Sequence, residues 1–142
     1  MSREGIAKVG FDGEWKALDI IKKVFDSKGA VMQVDWIFQS TKGEYYVVEV
    51  KHQEYYKAPP FDGHGLPKWQ VDARLKFYET TGIRPILLII EKPFKRVYTQ
   101  FLDVLNEDSD NYFDTKGASP RRVYKLDLFK DKTDECKLKG LI

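Results

Sequence analysis

The segment Tyr45–Lys51 constrains the fold of this chain most strongly, because its β-branched and aromatic residues are typical of a strand. Side chains on a strand alternate between the two faces of a sheet, so Glu49 and Lys51 are predicted to share one face. Val48 and Val50 are predicted to point to the other face, into the core. A carboxylate and an ammonium group on an otherwise apolar strand are costly to bury without a partner, which favours a functional role.

A second carboxylate, that of Asp35, lies in the apolar segment 30–38, which is predicted to form one bent strand or two short ones. A hairpin turn over residues 41–44 is predicted to join this segment to the strand that carries Glu49. Directly opposed side chains on antiparallel strands lie about 5 Å apart, so the two carboxylates could share one divalent cation beside Lys51. The alternative is a strand whose charged end simply reaches solvent, and the residues alone leave both interpretations open.

The rest of the chain is predicted to contain three helices and two further strands. The predicted helices cover about residues 13–25 with Asp12 as N-cap, 67–81 and 95–105, and the predicted strands cover about residues 86–90 and 122–129. The segment 55–67 contains three prolines and two glycines, so it is predicted to lack regular structure. The fold class is therefore predicted to be α/β, with a central mixed β-sheet flanked by helices and with an appended helix and strand.

Length and composition indicate one globular domain. The 142 residues are predicted to form a single domain, with a core over about residues 10–92 and a C-terminal extension over about residues 93–142. Charged residues are balanced to a net charge of +2, so total charge does not by itself indicate a nucleic-acid partner. The chain has no apolar stretch of membrane-spanning length, no apolar signal at its N-terminus and a single cysteine, Cys136. We therefore expect a cytoplasmic, intracellular protein without an internal disulfide.

Taken in order, these segments resemble the PD-(D/E)XK nuclease superfamily, and more narrowly its archaeal Holliday junction resolvase-like branch. The resemblance covers about residues 10–90 and is carried by four places: Gly13-Glu14, Val34-Asp35-Trp36-Ile37, Val48-Glu49-Val50-Lys51 and Gln70. Val34 stands where the superfamily's name has proline, a replacement that the family often shows. The resemblance implies a restriction-endonuclease-like core with the element order αβββαβ.

The resemblance also implies a metal-dependent endonuclease that hydrolyses DNA phosphodiester bonds. Asp35, Glu49 and the backbone carbonyl of Val50 would bind Mg²⁺, for which Mn²⁺ could substitute. Lys51 would orient or activate the attacking water and neutralise charge that develops on the phosphate. Replacing Asp35, Glu49 or Lys51 with alanine is expected to abolish cleavage while the protein stays folded.

Two further site residues depend on the resemblance alone. Glu14 would hold a second cation or a metal-bound water, and Gln70 would hydrogen-bond the nucleophile or the scissile phosphate. Without the resemblance, a glutamate in a first helical turn is adequately explained by the helix dipole. An isolated glutamine is adequately explained as an exposed helix residue.

A third group of residues near the predicted site is expected to contact nucleic acid through phosphates or stacked bases. Its members are Lys57, His64, Lys68, Trp69 and Arg74. Aromatic residues are more often part of a core, and that alternative stays open for Trp69. A homodimer is expected, because cutting two strands requires two active sites.

Two other functions remain compatible with the sequence. The first is a non-catalytic nucleic-acid-binding module that retains the nuclease architecture, and the second is a nuclease that acts on RNA. The three charged residues Asp35, Glu49 and Lys51 argue against the first, because a module without catalysis does not need them together. No residue pattern indicates recognition of a ribose 2′-hydroxyl, so RNA is not excluded as a substrate.

Overall fold

The computed structural model describes residues 16–17, 19–21, 23–24, 34–54, 56–58, 61–92, 95–108, 112–114 and 120–142. The chain divides into two compact units, residues 1–33 and residues 34–142. In the first unit, residues 16, 17, 19–21 and 23 are helical, which agrees with the helix predicted over residues 13–25. The predicted N-cap Asp12 and the predicted site residue Glu14 lie outside the described residues.

The second unit contains nine strands and three α-helices among its described residues. The strands are β1 (Trp36–Gln39), β2 (Tyr45–Glu54), β3 (Tyr56–Ala58), β4 (Phe61–Pro67), β5 (Arg84–Lys92), β6 (Arg96–Phe101), β7 (Tyr112–Asp114), β8 (Arg121–Lys125) and β9 (Lys130–Asp131). The helices are α1 (Lys68–Thr81), α2 (Leu102–Asn106) and α3 (Thr133–Leu138), and a 3₁₀ turn covers Leu126–Leu128. No helix in the described part of the chain is long and apolar enough to cross a membrane.

The main sheet has five strands in the order β1-β2-β5-β6-β9. β2 and β5 are parallel, and the other neighbouring pairs are antiparallel. The chain leaves β2, forms β3, β4 and α1, and then returns to the sheet as β5. This mixed sheet with its helices confirms the predicted α/β class.

The turn between β1 and β2 confirms the predicted hairpin. The N–H of Gly43 donates to the carbonyl of Ser40 (2.9 Å), and the N–H of Ser40 donates to the carbonyl of Glu44 (2.7 Å). Gly43 has a φ of +88°, a conformation that glycine adopts without the strain that a Cβ would add. The turn sequence therefore aligns the two strands that carry the candidate site.

The prediction that residues 55–67 lack regular structure is wrong. β3 and β4 lie in this segment, and they belong to a second, antiparallel sheet with the order β3-β4-β8-β7. Its glycines are required by close backbone packing, because a Cβ at Gly65 would lie 2.0 Å from the carbonyl oxygen of Arg122. Pro67 is the last residue of β4, where the missing N–H of a proline is tolerated.

Replacing Gly65 with alanine is expected to lower the free energy of unfolding by about 3 kcal/mol, because β4 and β8 must separate to admit the methyl group. Gly82→Ala is a suitable control, since a Cβ there meets no atom within 4 Å and only the positive φ opposes it. We expect the control to cost about 1 kcal/mol. Urea denaturation of both variants measures the difference, and equal losses would contradict the close approach of β4 to β8.

The prediction of a third helix over residues 95–105 is also wrong for most of its length. Residues 96–101 form β6, and only the short helix α2 follows. The residues Val97, Tyr98 and Thr99 favour a strand, and β6 pairs with both β5 and β9. The predicted strand over residues 122–129 is β8 followed by the 3₁₀ turn. Segments after residue 93 therefore belong to both sheets.

Helix α1 confirms the helix that was predicted over residues 67–81. It ends at Gly82, whose φ of 75° is left-handed and whose N–H donates to the carbonyl of Tyr78 (2.8 Å). Val71 is fully buried, and Leu75 packs against the core. The helix is therefore fixed in the core by its apolar face.

The core is a cluster of nine buried side chains from both sheets, α1, α2 and the segment that follows the 3₁₀ turn. They are Leu66, Val71, Leu87, Ile89, Tyr98, Leu102, Leu105, Tyr124 and Phe129. On β2 the buried side chains are Val47 and Glu49, whereas Val48 and Val50 are half-buried. The prediction that Val48 and Val50 lie on the buried face of β2 is therefore wrong. The face that carries Val47 and Glu49 is the more buried one. The reason is that Glu49 has a buried partner, which the strand pattern does not reveal.

Candidate active site

Glu49 is a buried carboxylate that is held by a buried arginine. Its side chain extends from β2 toward α1, where Nε and Nη2 of Arg74 donate to the same oxygen, Oε2, at 3.2 and 2.8 Å. Glu49 is 7% exposed and Arg74 is 5% exposed. The charged guanidinium group of Arg74 is therefore a buried partner of the Glu49 side chain.

Lys51 lies beside Glu49 on the same face of β2, as the strand alternation predicted. Its Nζ atom is 3.5 Å from Oε1 of Glu49, the carboxylate oxygen that does not accept from Arg74. The lysine side chain is 24% exposed, so it lies where the buried carboxylate meets solvent. An ammonium group in this position can interact with an anion that approaches from outside.

Asp35 is exposed and lies in a bend directly before β1. Its Oδ2 atom accepts a hydrogen bond of 2.9 Å from the N–H of Val50, the residue between Glu49 and Lys51. A strand residue directs its N–H and C=O toward the same neighbouring strand, so the Val50 carbonyl also faces the edge where Asp35 lies. The hairpin thus brings a second carboxylate to the backbone in the middle of β2, next to Glu49.

Gln70 has a buried side-chain oxygen, Oε1. Among the described residues, no group donates a hydrogen bond to its Oε1 atom. Gln70 lies four residues before Arg74 on α1, so the two side chains project from the same face of the helix. Buried polar atoms in proteins are nearly always hydrogen-bonded, so this oxygen is suited to a bound water or ligand.

The predicted nucleic-acid-binding residues lie in different parts of the structure. Lys68 and Trp69 lie in the first turn of α1, where Trp69 is 61% exposed and Lys68 forms an ion pair with Asp72 (2.7 Å). Lys57 lies in β3, opposite Asp62. By contrast, Arg74 is directed inward to Glu49 rather than outward toward phosphates.

The prediction that His64 lies in a flexible loop is wrong, because it lies in β4 and is 1% exposed. Its Nδ1 atom is 3.1 Å from Oε1 of Gln53, and its Nε2 atom is 2.6 Å from Oε2 of Glu91. Burial lowers the pKa of His64, while the Glu91 carboxylate acts in the opposite direction. The ring therefore connects β4 to the main sheet and is turned away from any nucleic acid at the surface.

Sequence reasoning missed the partners that complete this interior network. Gln53 donates from Nε2 to the carbonyl of Gly65 (2.7 Å), and Arg96 donates from Nε to Oε1 of Glu91 (2.6 Å). The position of Gln53, two residues after Lys51 on the same strand, predicts that it shares the face of Glu49. In the same way, the spacing of Gln70 and Arg74 predicts a shared helix face. Both spacings can be read from the sequence, but neither shows which residue the side chain contacts.

The oxygen groups in the middle of β2 are of the kind that a hard divalent cation prefers. They are the carboxylate of Glu49, the carboxylate of Asp35 beside the Val50 N–H, and the Val50 carbonyl. Within the described residues, no three His, Cys, Asp or Glu side chains form a metal-binding group. Mg²⁺ is typically held through only one or two protein carboxylates and retains several waters, so a two-carboxylate site fits it.

Comparisons of the chain with protein-family models, with curated proteins and with solved structures each gave no match. The proposed function therefore depends on the geometry of the residues around Glu49 in the middle of β2 and on the resemblance of the motifs there.

Proposed function

We propose that the protein is a metal-dependent endonuclease that hydrolyses phosphodiester bonds in DNA, built on a restriction-endonuclease-like core. The proposal is supported by one observation: the Asp35 carboxylate accepts a hydrogen bond from the backbone of Val50, the residue between Glu49 and Lys51, whose side chains form an ion pair.

Oxygen ligands would bind the cation at this place. Asp35, Oε1 of Glu49 and the Val50 carbonyl would hold Mg²⁺, and Mn²⁺ could replace it. When bound, the ion would supply Lewis-acid stabilisation of the phosphate oxygens and a water of lowered pKa. Glu14 would hold a second cation or a metal-bound water.

Lys51 and Gln70 would act on the reacting groups. The ammonium group of Lys51 is partly exposed beside Glu49, so it would orient the attacking water and stabilise negative charge on the phosphate. The Oε1 atom of Gln70, to which none of the described residues donates, would accept a hydrogen bond from the nucleophilic water.

DNA would reach the site past the first turn of α1. Trp69 is largely exposed there and could stack on an unpaired base, and Lys68 and Lys57 would contact phosphates. A substrate with splayed or unpaired bases, such as a four-way junction or a flap, would use such a stacking residue. A homodimer would place one active site on each of the two DNA strands.

The experiment that tests the proposal is incubation of the purified protein with a set of labelled substrates. These are linear duplex, single strand, flap, four-way junction and RNA, each with Mg²⁺, with Mn²⁺ and with EDTA. We expect cleavage of at least one DNA substrate that depends on the ion and is lost in Lys51→Ala. Binding of DNA without cleavage would favour the non-catalytic module, and cleavage of RNA alone would identify a ribonuclease.

A further inference from the structure

We propose that Arg74 is a positioning residue that fixes Glu49 as a one-oxygen ligand and thereby favours Mg²⁺ and Mn²⁺ over Ca²⁺. This inference rests on the proposed function, because it assigns Glu49 to the cation. It differs from the role expected for Arg74 from the sequence, which was contact with phosphates.

The first argument is the direction of the two hydrogen bonds. Two nitrogen atoms of Arg74 donate to Oε2 of Glu49, Nε at 3.2 Å and Nη2 at 2.8 Å. Among the described residues, the partner of the other oxygen, Oε1, is Lys51, at the longer distance of 3.5 Å. One carboxylate oxygen is therefore engaged inside the protein, and Oε1 is the oxygen left to bind an ion.

The second argument is the rigidity of the support. Arg74 lies on α1. Three residues before it, Val71 is fully buried, and the next residue, Leu75, packs against the core. The guanidinium group is planar and holds its donors in a fixed fork, whereas a lysine has a single rotatable ammonium group. A lysine at this position would keep the charge but not the orientation of the carboxylate.

Ion selectivity follows from the number of oxygens that Glu49 offers. Ca²⁺ accepts six to eight oxygen ligands in flexible geometry and often takes both oxygens of a carboxylate, whereas Mg²⁺ requires a regular octahedron with short distances. A carboxylate with one engaged oxygen suits the octahedral ion. Release of Oε2 would let Glu49 bind an ion through both oxygens, which favours Ca²⁺.

Titration calorimetry with Mn²⁺ and with Ca²⁺, on the full chain and on Arg74→Lys, tests the inference without DNA. Removal of residues that orient metal ligands typically weakens binding by about 10-fold to 100-fold, and we expect this loss for Mn²⁺. We also expect the ratio of Mn²⁺ affinity to Ca²⁺ affinity to fall by about tenfold, since Ca²⁺ gains an oxygen that Mn²⁺ does not use. Arg74→Gln, which keeps an uncharged donor, provides a second variant if Arg74→Lys does not fold.

Arg84→Lys is the matched control. Arg84 forms a similar two-donor ion pair in the same unit, with Nε and Nη2 on the two carboxylate oxygens of Asp103 at 2.9 and 2.8 Å. We expect its change to leave both ion affinities unaltered.

Three outcomes separate the inference from the proposed function. If the Arg74 variants bind Mn²⁺ as tightly as the unaltered protein, the role of Arg74 is wrong and the nuclease proposal stands. The same holds if the affinities for Mn²⁺ and Ca²⁺ fall by the same factor. If the unaltered protein binds Mn²⁺ but cleaves no DNA, the nuclease proposal fails and the affinity ratio still decides the role of Arg74. If the unaltered protein binds neither Mn²⁺ nor Ca²⁺, both are wrong.

Discussion

Replacing Lys51 with alanine is expected to slow DNA cleavage by about a thousandfold, the effect of removing one group that stabilises transition-state charge. The protein should stay folded, because the lysine side chain is 24% exposed and its ion pair with Glu49 is long, at 3.5 Å. Loss of such a partly exposed pair typically changes the free energy of unfolding by less than about 1 kcal/mol. Single-turnover cleavage and urea denaturation measure the two effects separately.

A matched control is Lys42→Ala, which removes an exposed lysine from the β1–β2 turn. We expect its cleavage rate and its unfolding midpoint to stay close to those of the unaltered protein. If Lys51→Ala cleaves at the rate of the control, Lys51 is not part of the reaction.

Replacing Glu49 with alanine is expected to destabilise the protein by about 3–5 kcal/mol, because it removes the buried carboxylate that is paired with the buried guanidinium of Arg74. The double variant Glu49→Leu with Arg74→Met replaces the buried pair with apolar side chains of similar size. Such replacements are often neutral or stabilising, so we expect its stability to return to within about 1 kcal/mol of the unaltered protein. Urea denaturation compares the single and double variants.

Cleavage should be absent in both Glu49 variants, although only the single variant is unstable. This pair of results would show that activity is lost through the missing ligand and not through unfolding. Activity in the stable double variant would mean that Glu49 does not bind the ion. If the single variant were as stable as the unaltered protein, the pairing of Glu49 with Arg74 would contribute nothing to stability.

The expectation from sequence alone, that Glu49→Ala stays folded, illustrates where sequence reasoning ends. Alternation along β2 correctly places Glu49 and Lys51 on one face. Alternation shows which residues share a face of the strand, but it does not show which face is buried. Burial depends on the elements that pack against the strand. Arg74 is 25 residues away and on another element, so the strand pattern contains no sign of it.

Elements with local signals were predicted well. The β1–β2 turn contains a glycine at the one position with positive φ, and α1 is bounded by Pro67 and Gly82. These signals lie within a few residues of the structure that they determine. The bounds of both elements were therefore predicted to within a few residues.

Elements that depend on distant partners were predicted poorly. β4 contains two glycines and ends in a proline, which locally favour a loop, and it is a strand because it pairs with β8 about sixty residues later. β6 likewise pairs with β9 near the end of the described chain. In both cases tertiary pairing overrode the local pattern.

This distant pairing has a consequence for biosynthesis. The segment 121–131 supplies a strand to each sheet, β8 to the second and β9 to the main one. Neither sheet can be completed until this segment has left the ribosome, so a growing chain holds β4 and β6 with an open edge. Contacts between residues so far apart in sequence are slow to form, and open edges pair readily with other chains. We therefore expect chaperone occupancy on the ribosome to persist until β9 has emerged.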